Sequence, residues 1–218
     1  MSKPAIGFIG LGLMGTAMCQ RLLDMGYPLN IVVNRTRTSA DALIARGATE
    51  QASARELAAT CDIVMLCVDT SASVESRMYG DDGVIAGLKK DALVIDFGTS
   101  LPASTRAIGE AVAKAGGTYF DGPLGRTPAH AEKGELNIMC AGDEGKFAEL
   151  KPVLEDLGEN VFHLGALGSG HTIKLVNNFF GMTVANAMCE AFAVADKAGI
   201  DRQQLYDVMS AGPPHSVM

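Results

Sequence analysis

Several scarcities limit what this sequence can be. Tryptophan is absent, aromatic residues make up only 6% of the chain, and there are four histidines. No metal-ligand spacing links those histidines to the cysteines, so we predict no metal site. No two cysteines are spaced as Cys-x-x-Cys, and most of them lie in apolar segments. They are Cys19, Cys61, Cys67, Cys140 and Cys189. This pattern favours reduced, buried thiols in a cytoplasmic protein.

Positive charge is also in short supply. The formal net charge of −7 argues against general binding to nucleic acid or to an anionic membrane surface. The N-terminus carries no signal-like sequence, and Asn177, Asn178 and Glu190 interrupt the apolar stretch near Val176, so we expect no membrane span. The expected partner is therefore a small molecule.

Glycine, in contrast, is abundant at 25 residues and dominates the first motif. The apolar run Ala5–Ile9 predicts a buried strand, and the spacing of Met14–Met25 predicts a helix. Between them stands Gly-x-Gly-x-x-Gly, a pattern that places a dinucleotide pyrophosphate at a helix N-terminus. An ordinary strand-to-helix turn is the alternative. The predicted cofactor contacts here are Gly10, Leu11, Gly12, Leu13, Met14 and Gly15.

Apolar strands and helices alternate along the first three quarters of the chain. The predicted strands are Ala5–Ile9, Leu29–Val33, Ile63–Val68, Ala92–Asp96, Thr118–Asp121, Asn137–Ala141 and Asn160–Leu164. The other predicted helices are Ser39–Arg46, Ser53–Thr60, Val74–Leu88 with a break at Gly80–Gly83, Pro102–Ala115 and Lys146–Leu157, while Gly122–Gly134 is a predicted loop. This alternation predicts an α/β, Rossmann-type, doubly wound and mostly parallel sheet.

The pattern changes after Leu164. Glycines interrupt it, and His171–Ala198 then has the apolar spacing of one helix about 28 residues long, too long for an ordinary crossover helix. Asp201–Ser210 begins another helix. We therefore predict an NADP-binding domain over residues 1–164. Residues 165–218 are predicted to be a long interdomain helix and the start of an all-helical C-terminal domain that is incomplete.

The end of the second predicted strand bears on the choice of cofactor. An NAD site usually has an acidic residue there for the ribose 2′-hydroxyl, but this chain has Asn34, Arg35 and Thr36, followed by Arg37. A carboxylate would repel a 2′-phosphate, whereas a guanidinium can hold it. We therefore predict cofactor contacts by the first three residues and favour NADP(H) over NAD(H). The alternative is that Arg35 and Arg37 are solvated residues at a helix entry.

A polar cluster interrupts the long predicted helix. Asn177 and Asn178 follow Lys174 at helical offsets of three and four, so the lysine and at least one asparagine share a face. The ordinary interpretation is a solvated stripe at a helix end. The functional interpretation is a lysine that donates a proton to a developing alkoxide, with an asparagine fixing the substrate. The nearby His130 and His171 are predicted to be polar contacts or surface residues.

Four stretches, in this order, resemble the β-hydroxyacid dehydrogenase family, which includes 3-hydroxyisobutyrate dehydrogenase and tartronate semialdehyde reductase. They are Phe8–Gly15, Ile95–Thr99, Asp121–Thr127 with Gly134, and Gly170–Asn178. The resemblance covers essentially the whole chain. It implies that Lys174 is the catalytic proton donor in aldehyde reduction and that Asn178 holds the substrate beside it.

The same resemblance implies further cofactor contacts. Thr99 would lie near the nicotinamide ribose, at the carboxyl edge of the sheet where such folds bind ligands. Leu66–Asp69, Val68 among them, would line the adenosine side. The family often has proline where this chain has Asp69, which departs from the family pattern at that contact.

The third stretch departs from the family's commonest form, Asp-x-Pro-Val-Ser-Gly-Gly. Gly125 replaces the serine, Arg126 and Thr127 replace the two glycines, and this Gly-Arg-Thr resembles the sulfolactaldehyde reductases of the family. A guanidinium beside a hydroxyl suits a sulfonate, carboxylate or phosphate group. These three residues are therefore predicted to bind substrate. The alternative is that Arg126 pairs with a protein carboxylate such as Glu132 or Glu135.

The predicted function is an NADP(H)-dependent oxidoreductase. It would transfer hydride between nicotinamide and a short acid semialdehyde or 3-hydroxy acid, such as sulfolactaldehyde, tartronate semialdehyde or a 3-hydroxyisobutyrate-like compound, with Lys174 moving the proton. One alternative is a truncated NADP-binding module with little turnover, because family members continue for several more helices. Another is an imine reductase, although related imine reductases generally lack this lysine. The resemblance also implies a homo-oligomer, a dimer or tetramer, formed through the helical C-terminal domain.

Overall fold

A computed structural model of the chain describes residues 3–33 and 37–212. These residues form two compact units, Met1–Lys174 and Leu175–Met218. The predicted division at residue 164 stays a prediction.

The first unit is built on a six-stranded parallel sheet. Its strands are β1 (Ile6–Ile9), β2 (Leu29–Val32), β3 (Thr49–Gln51), β4 (Ile63–Leu66), β5 (Leu93–Asp96) and β6 (Thr118–Asp121). Their spatial order is β3-β2-β1-β4-β5-β6, so the direction of winding reverses between β1 and β4. This order is that of dinucleotide-binding folds, which bind ligands at the carboxyl ends of the strands beside the reversal. The predicted Rossmann-type sheet is confirmed.

Helices cover both faces of this sheet. They are α1 (Leu13–Asp24), α2 (Arg37–Ala45), α3 (Ala54–Thr60), α4 (Ser71–Met78), α5 (Val84–Gly87) and α6 (Pro102–Lys114). Neighbouring residues on a strand enter different cores: Met65 and Ile95 pack in one cluster, Val64 and Val94 in the other. Burial on both faces is why the central strands read as continuous apolar runs. The strand β3 was not predicted, because its three residues are polar and at least partly exposed.

A second, smaller sheet follows in the same unit. Its elements are β7 (Leu124–Gly125), α7 (Pro128–Lys133), β8 (Leu136–Cys140), α8 (Glu144–Leu157) and β9 (Gly158–His163). β7 pairs antiparallel with β8, and β8 pairs parallel with β9. The loop predicted over Gly122–Gly134 was therefore wrong, because it contains a strand of two residues and a helix of six. Elements this short show neither apolar alternation nor helical periodicity.

The second unit is helical, as predicted for the C-terminal segment. It contains most of α9 (Ser169–Lys197) and all of α10 (Arg202–Ala211). Asp201 caps α10 by accepting from the backbone N–H of Gln203 at 2.9 Å. Several large apolar side chains of α9 are exposed, including Phe179 at 73% and Met182 at 71%. Across the described ranges, no helix has the length and apolar character needed to cross a membrane.

Candidate cofactor and active site

Two glycines of the first motif are required by the backbone of the β1–α1 turn. Gly10 has a φ of +108°, a conformation that favours glycine. A side chain there would run into the carbonyl of Cys67, and its Cβ would lie 3.0 Å from Cγ1 of Val68. A Cβ at Gly15 would collide with the carbonyl of Gly10. These positions let the turn close tightly and let α1 pack against β1.

Gly12 has a different role, because among the described residues no atom outside its own chain neighbours lies within 4 Å of the Cβ position that it lacks. It stands at the N-cap of α1, where no side chain caps the helix and no acidic residue occupies the first turn. The first backbone N–H groups of a helix have no partner within the helix, and the helix dipole favours an anion there. Leu13, the first helical residue, is 85% exposed. This open helix start fits the pyrophosphate of a dinucleotide.

The predicted adenosine contacts are placed only in part. Asn34, Arg35 and Thr36 lie outside the described residues. Arg37 donates to both carboxylate oxygens of Glu50 on β3, at 2.9 and 3.1 Å, and to Asp41 at 3.2 Å. These contacts raise the pKa of Arg37 and lower that of Glu50. The Arg37 guanidinium is therefore already paired on the protein surface.

A cleft of about 470 Å³ lies beside the carboxyl end of β2. Val33, Ser53 and Arg77 are among the residues that line it. Arg77 lies on α4 and makes no ion pair within the described part of the chain. The cleft thus has a guanidinium beside the carboxyl end of β2.

Two buried carboxylates end neighbouring strands of the sheet. Asp96 ends β5, Asp121 ends β6, and the two are partners in the register of these strands. Asp96 accepts hydrogen bonds from the N–H of Gly98 at 2.8 Å and from Oγ of Ser100 at 2.7 Å. Burial raises the pKa of Asp96. These bonds shape the turn that carries Thr99, whose side chain is exposed at the carboxyl edge of the sheet.

Asp121 holds the start of α9. Its carboxylate accepts from the backbone N–H of Gly168 at 2.8 Å and of His171 at 2.7 Å. Gly168 has a φ of +92°, and a side chain at Gly170 would collide with the carbonyl of Met139. Gly168 and Gly170 therefore let the first turn of α9 pack closely on β6 and β8. Burial raises the pKa of Asp121, although the two N–H bonds oppose that shift.

The side chain of His171 is fully buried beside these carboxylates. Its Nδ1 lies 2.7 Å from Oγ1 of Thr105 on α6, and its Nε2 lies 3.6 Å from Oδ2 of Asp96. Nε2 has no hydrogen-bond partner among the described residues. Burial lowers the pKa of His171, against the attraction of Asp121. The first turn of α9 thus contacts β5, β6 and α6.

Lys174 follows on α9 and is half-buried. Burial lowers the pKa of its amine. Within the ranges that the structure describes, no carboxylate forms an ion pair with this amine. Asn177 and Asn178 are exposed and belong to the second unit. Their predicted contact with the substrate stays a prediction.

The predicted substrate loop is partly occupied by contacts of its own. Arg126 has a φ of +77°, which is uncommon for a residue other than glycine. Its guanidinium donates to the carboxylate of Glu159 and, at 2.7 Å, to the backbone carbonyl of Glu135. It does not pair with the carboxylates of Glu132 or Glu135, the two partners considered from the sequence.

The two residues on either side of Arg126 differ in what surrounds them. Gly125 lies in β7, where an added Cβ would be 3.2 Å from Cβ of Asn137. Oγ1 of Thr127 lies 2.7 Å from Nδ1 of His130, and the Thr127 side chain is exposed. Over the described residues, no three His, Cys, Asp or Glu side chains are grouped so as to hold a metal ion.

Sequence reasoning did not single out Asp96, Asp121 or His171 as a group. The available signal was positional, because both aspartates end predicted strands and the carboxyl ends of parallel strands meet at one edge. His171 was predicted to be a polar contact or a surface residue, and its side chain is a fully buried polar contact. Its burial depends on packing between α9 and the sheet, which the sequence does not display.

Comparison with known families covers almost the whole chain. The family described as the NAD binding domain of 6-phosphogluconate dehydrogenase matches residues 5–165. The family described as the NAD-binding domain of NADP-dependent 3-hydroxyisobutyrate dehydrogenase matches residues 168–218. The chain is 32% identical over 207 residues to 2-hydroxy-3-oxopropionate reductase of Escherichia coli (strain K12), covering 95% of this chain and 70% of the relative.

Solved structures agree with this assignment. A Mycobacterium tuberculosis 3-hydroxyisobutyrate dehydrogenase with L-serine is 30% identical, with a TM-score of 0.89 over 97% of this chain and 71% of that one. Psf3 in complex with NADP+ and 2-OPP is 27% identical, with a TM-score of 0.85 over 98% of this chain and 75% of that one. An imine reductase from Myxococcus stipitatus, at 22% identity, 97% and 72% coverage and a TM-score of 0.90, shares the fold. The chain belongs to the β-hydroxyacid dehydrogenase family and is an NAD(P)-dependent 3-hydroxyacid dehydrogenase.

Proposed function

We propose that this protein is an NADP(H)-dependent reductase of a short semialdehyde that bears an acid group. The observation that carries the proposal is the environment of Lys174. The amine is half-buried, and no described carboxylate pairs with it. Its helix begins at the same carboxyl edge of the sheet as the open glycine turn of α1. A lysine placed in this way can serve as a proton donor at an active site.

The residues of the β1–α1 turn suit the binding of the cofactor. Gly12 and the free N–H groups after it would hold the pyrophosphate, and Val68 and Thr99 are the further contacts proposed along the sheet edge. When bound, the nicotinamide supplies the hydride for reduction of the aldehyde. The protein's contribution is to orient the two reactants and to supply the proton.

The preference for NADP(H) over NAD(H) is proposed from charge. Arg35, with Asn34 and Thr36, follows the strand where an NAD site usually has a carboxylate. The guanidinium of Arg37 already forms ion pairs with Glu50 and Asp41, so Arg35 is the better candidate to bind the 2′-phosphate. Arg77 adds positive charge to the cleft beside β2. The structural similarity to Psf3, which was solved with NADP+, supports the same choice.

Lys174 is proposed to exchange a proton with the substrate oxygen. In reduction the ammonium donates to the developing alkoxide, and in oxidation the neutral amine accepts the alcohol proton. Burial lowers the pKa of Lys174, which makes the neutral form accessible at a lower pH than for an ordinary lysine. Asn178 is proposed to hold the substrate, as the family resemblance implies.

An acid group on the substrate is proposed from the loop that carries Gly125, Arg126 and Thr127. A guanidinium and a hydroxyl would bind sulfonate, carboxylate or phosphate through charge-assisted hydrogen bonds. Arg126 contacts Glu159 in the structure, so binding of an anion would replace this partner. A sulfonate is the first candidate because the loop resembles that of sulfolactaldehyde reductases.

A substrate panel tests the proposal. The chain would be supplied with NADPH or NADH and, in parallel, with sulfolactaldehyde, tartronate semialdehyde, succinate semialdehyde or methylmalonate semialdehyde. We expect loss of reduced cofactor with at least one acid semialdehyde and a higher kcat/KM with NADPH. Binding of NADPH without turnover of any aldehyde would instead favour a nucleotide-binding module. Turnover of a cyclic imine alone would favour an imine reductase.

The same proposal includes a cytoplasmic homo-oligomer formed through the helical C-terminal segment. The exposed apolar side chains of α9, among them Phe179 and Met182, support it. Light scattering of the purified chain at several concentrations measures the mass directly. A monomer at all concentrations would contradict this part of the proposal.

A further inference from the structure

The start of α9 is fixed more firmly than an exposed helix end requires. Asp121 accepts from two of its backbone N–H groups, at 2.8 and 2.7 Å, and the carboxylate is fully buried. A side chain at Gly170 would collide with the carbonyl of Met139, and Gly168 has a φ of +92°, which favours glycine. These contacts hold the helix start against β6 and β8.

His171 extends this attachment to two further elements. Its Nδ1 reaches Oγ1 of Thr105 on α6 at 2.7 Å, and its Nε2 faces Oδ2 of Asp96 on β5 at 3.6 Å. All three side chains are almost fully buried. Burying an imidazole and two carboxylates costs free energy of folding unless these groups have polar partners. An apolar cluster at this place would avoid that cost, so the polar side chains have a reason other than stability.

The cluster lies one helical turn before Lys174. Side chains three and four positions apart stack along one face of a helix, and Lys174 stands at those offsets from His171 and Gly170. The position of the lysine amine therefore depends on where this first turn is held. An error of about 1 Å in the placement of a reacting group can cost about 100-fold in rate.

We propose that His171 and Asp121 are positioning residues for Lys174, holding the first turn of α9 against the carboxyl ends of β5 and β6. Neither side chain is proposed to touch the substrate. The inference rests on the proposed function, in which Lys174 exchanges a proton with the substrate. It predicts that damage to the cluster lowers kcat while the open helix start of α1 continues to bind NADP(H).

The test compares His171→Gln and His171→Leu with the unaltered chain. Glutamine can reach one of the two partners, whereas leucine can reach neither, so we expect kcat to fall about 10-fold for the first and up to about 100-fold for the second. The Kd for NADPH should stay within about twofold, because the α1 turn is unchanged. A purely structural role would lower the melting temperature without this graded loss of kcat.

A matched control is His163→Leu. His163 is a half-buried histidine that contacts the carbonyl of Gly142 at 3.1 Å and the ring of Phe147, and among the described residues it makes no hydrogen bond to α9. Its replacement should leave kcat within about twofold of the unaltered value.

Asp121→Asn is the second test variant, because asparagine offers one carboxamide oxygen where two N–H groups need acceptors.

The outcomes separate this inference from the proposed function. If Lys174→Ala keeps its activity, or if the unaltered chain turns over no aldehyde, the proposed function fails and the positioning role fails with it. If Lys174→Ala is inactive while His171→Gln and Asp121→Asn keep kcat within twofold, only the positioning role is overturned. If His171→Leu does not fold, His171→Gln decides the result.

Discussion

Two helices of this protein begin at glycine turns on the same edge of the sheet, and they differ in what occupies their N-termini. In the described part of the chain, the start of α1 at Gly12 has no capping side chain, no acidic residue in its first turn and no atom near the Cβ position that the glycine lacks. The start of α9, at Gly168 and Gly170, is closed by the carboxylate of Asp121. The same local device is open in one case and filled by the protein's own anion in the other.

The difference separates binding from positioning. An open N-terminus presents free N–H groups and a positive dipole to an external phosphate. At the start of α9 two of these N–H groups already donate to the carboxylate of Asp121, so this helix start holds the helix in place and does not bind an external anion. In this protein the open turn suits the cofactor, and the closed turn precedes Lys174, the proposed proton donor.

The largest effect that distinguishes the two turns is expected from Lys174→Ala. Loss of the proton donor should lower kcat for aldehyde reduction by about 10²–10⁴-fold. The Kd for NADPH should change little, because the residue lies outside the open turn. Steady-state kinetics and fluorescence titration measure the two quantities. An equal loss of kcat and of NADPH affinity would show that Lys174 supports the structure instead.

The next largest effect is expected from Gly12→Ala. An added methyl group would occupy the space proposed for the pyrophosphate, and each lost hydrogen bond to a charged group costs about 1.5–3 kcal/mol, so NADPH affinity should fall about 10- to 100-fold. The matched control is Gly181→Ala, because Gly181 also has nothing within 4 Å of its missing Cβ but lies in α9. Equal affinity in both variants would mean that the open turn does not bind the cofactor.

Substitution in the glycine turn before α9, at Gly168 and Gly170, should change the free energy of unfolding. A methyl group at Gly170 would meet the carbonyl of Met139 and lie 2.9 Å from Oδ2 of Asp121. Overpacking of this kind typically costs about 1–3 kcal/mol in the free energy of unfolding. Gly181→Ala, in an exposed helix, should instead gain up to about 1 kcal/mol. Urea unfolding compares the two, and a stable Gly170→Ala would show that the close contact at the helix start is dispensable.

The smallest effect is expected for Arg35→Asp, a substitution that follows the second strand in the sequence. Exchanging a guanidinium for a carboxylate should lower the NADPH to NADH affinity ratio by about 10-fold. Arg37→Asp is the control, because Glu50 and Asp41 already pair with Arg37 and its loss should change the ratio less. A ratio unchanged by Arg35→Asp would exclude this residue from contact with a 2′-phosphate.

Much of the fold could be predicted from the sequence because its signals are local. The buried strands are short apolar runs, and the spacing of Gly10, Gly12 and Gly15 predicts the turn before α1. The elements that were missed carry no such signal. β3 consists of three polar residues at the edge of the sheet, and β7 is only two residues long. Their strand character comes from pairing with neighbours that are distant in sequence.

The candidate site divides in the same way. Lys174 stands out because its spacing to Asn177 and Asn178 is visible in the chain, and Gly-x-Gly before it marks a turn. The contacts of Asp121 with His171 and of Arg126 with Glu159 join residues far apart in sequence. Such pairs depend on how α9 and β9 pack, so one sequence alone does not reveal them. The alternative interpretation, that Arg126 pairs with a protein carboxylate, agrees with the structure, but the carboxylate is that of Glu159 and not of Glu132 or Glu135.

Transfer of a labelled hydride from NADPH to the substrate is the most direct test of the proposed reaction. The chain would be incubated with NADPH deuterated at the transferable position of nicotinamide C4 and with the preferred acid semialdehyde, and the hydroxy acid product would be analysed by mass spectrometry. We expect one deuterium on the former aldehyde carbon, at a rate lowered at least about 100-fold in Lys174→Ala. A product without deuterium, or one formed equally fast by the variant, would contradict it.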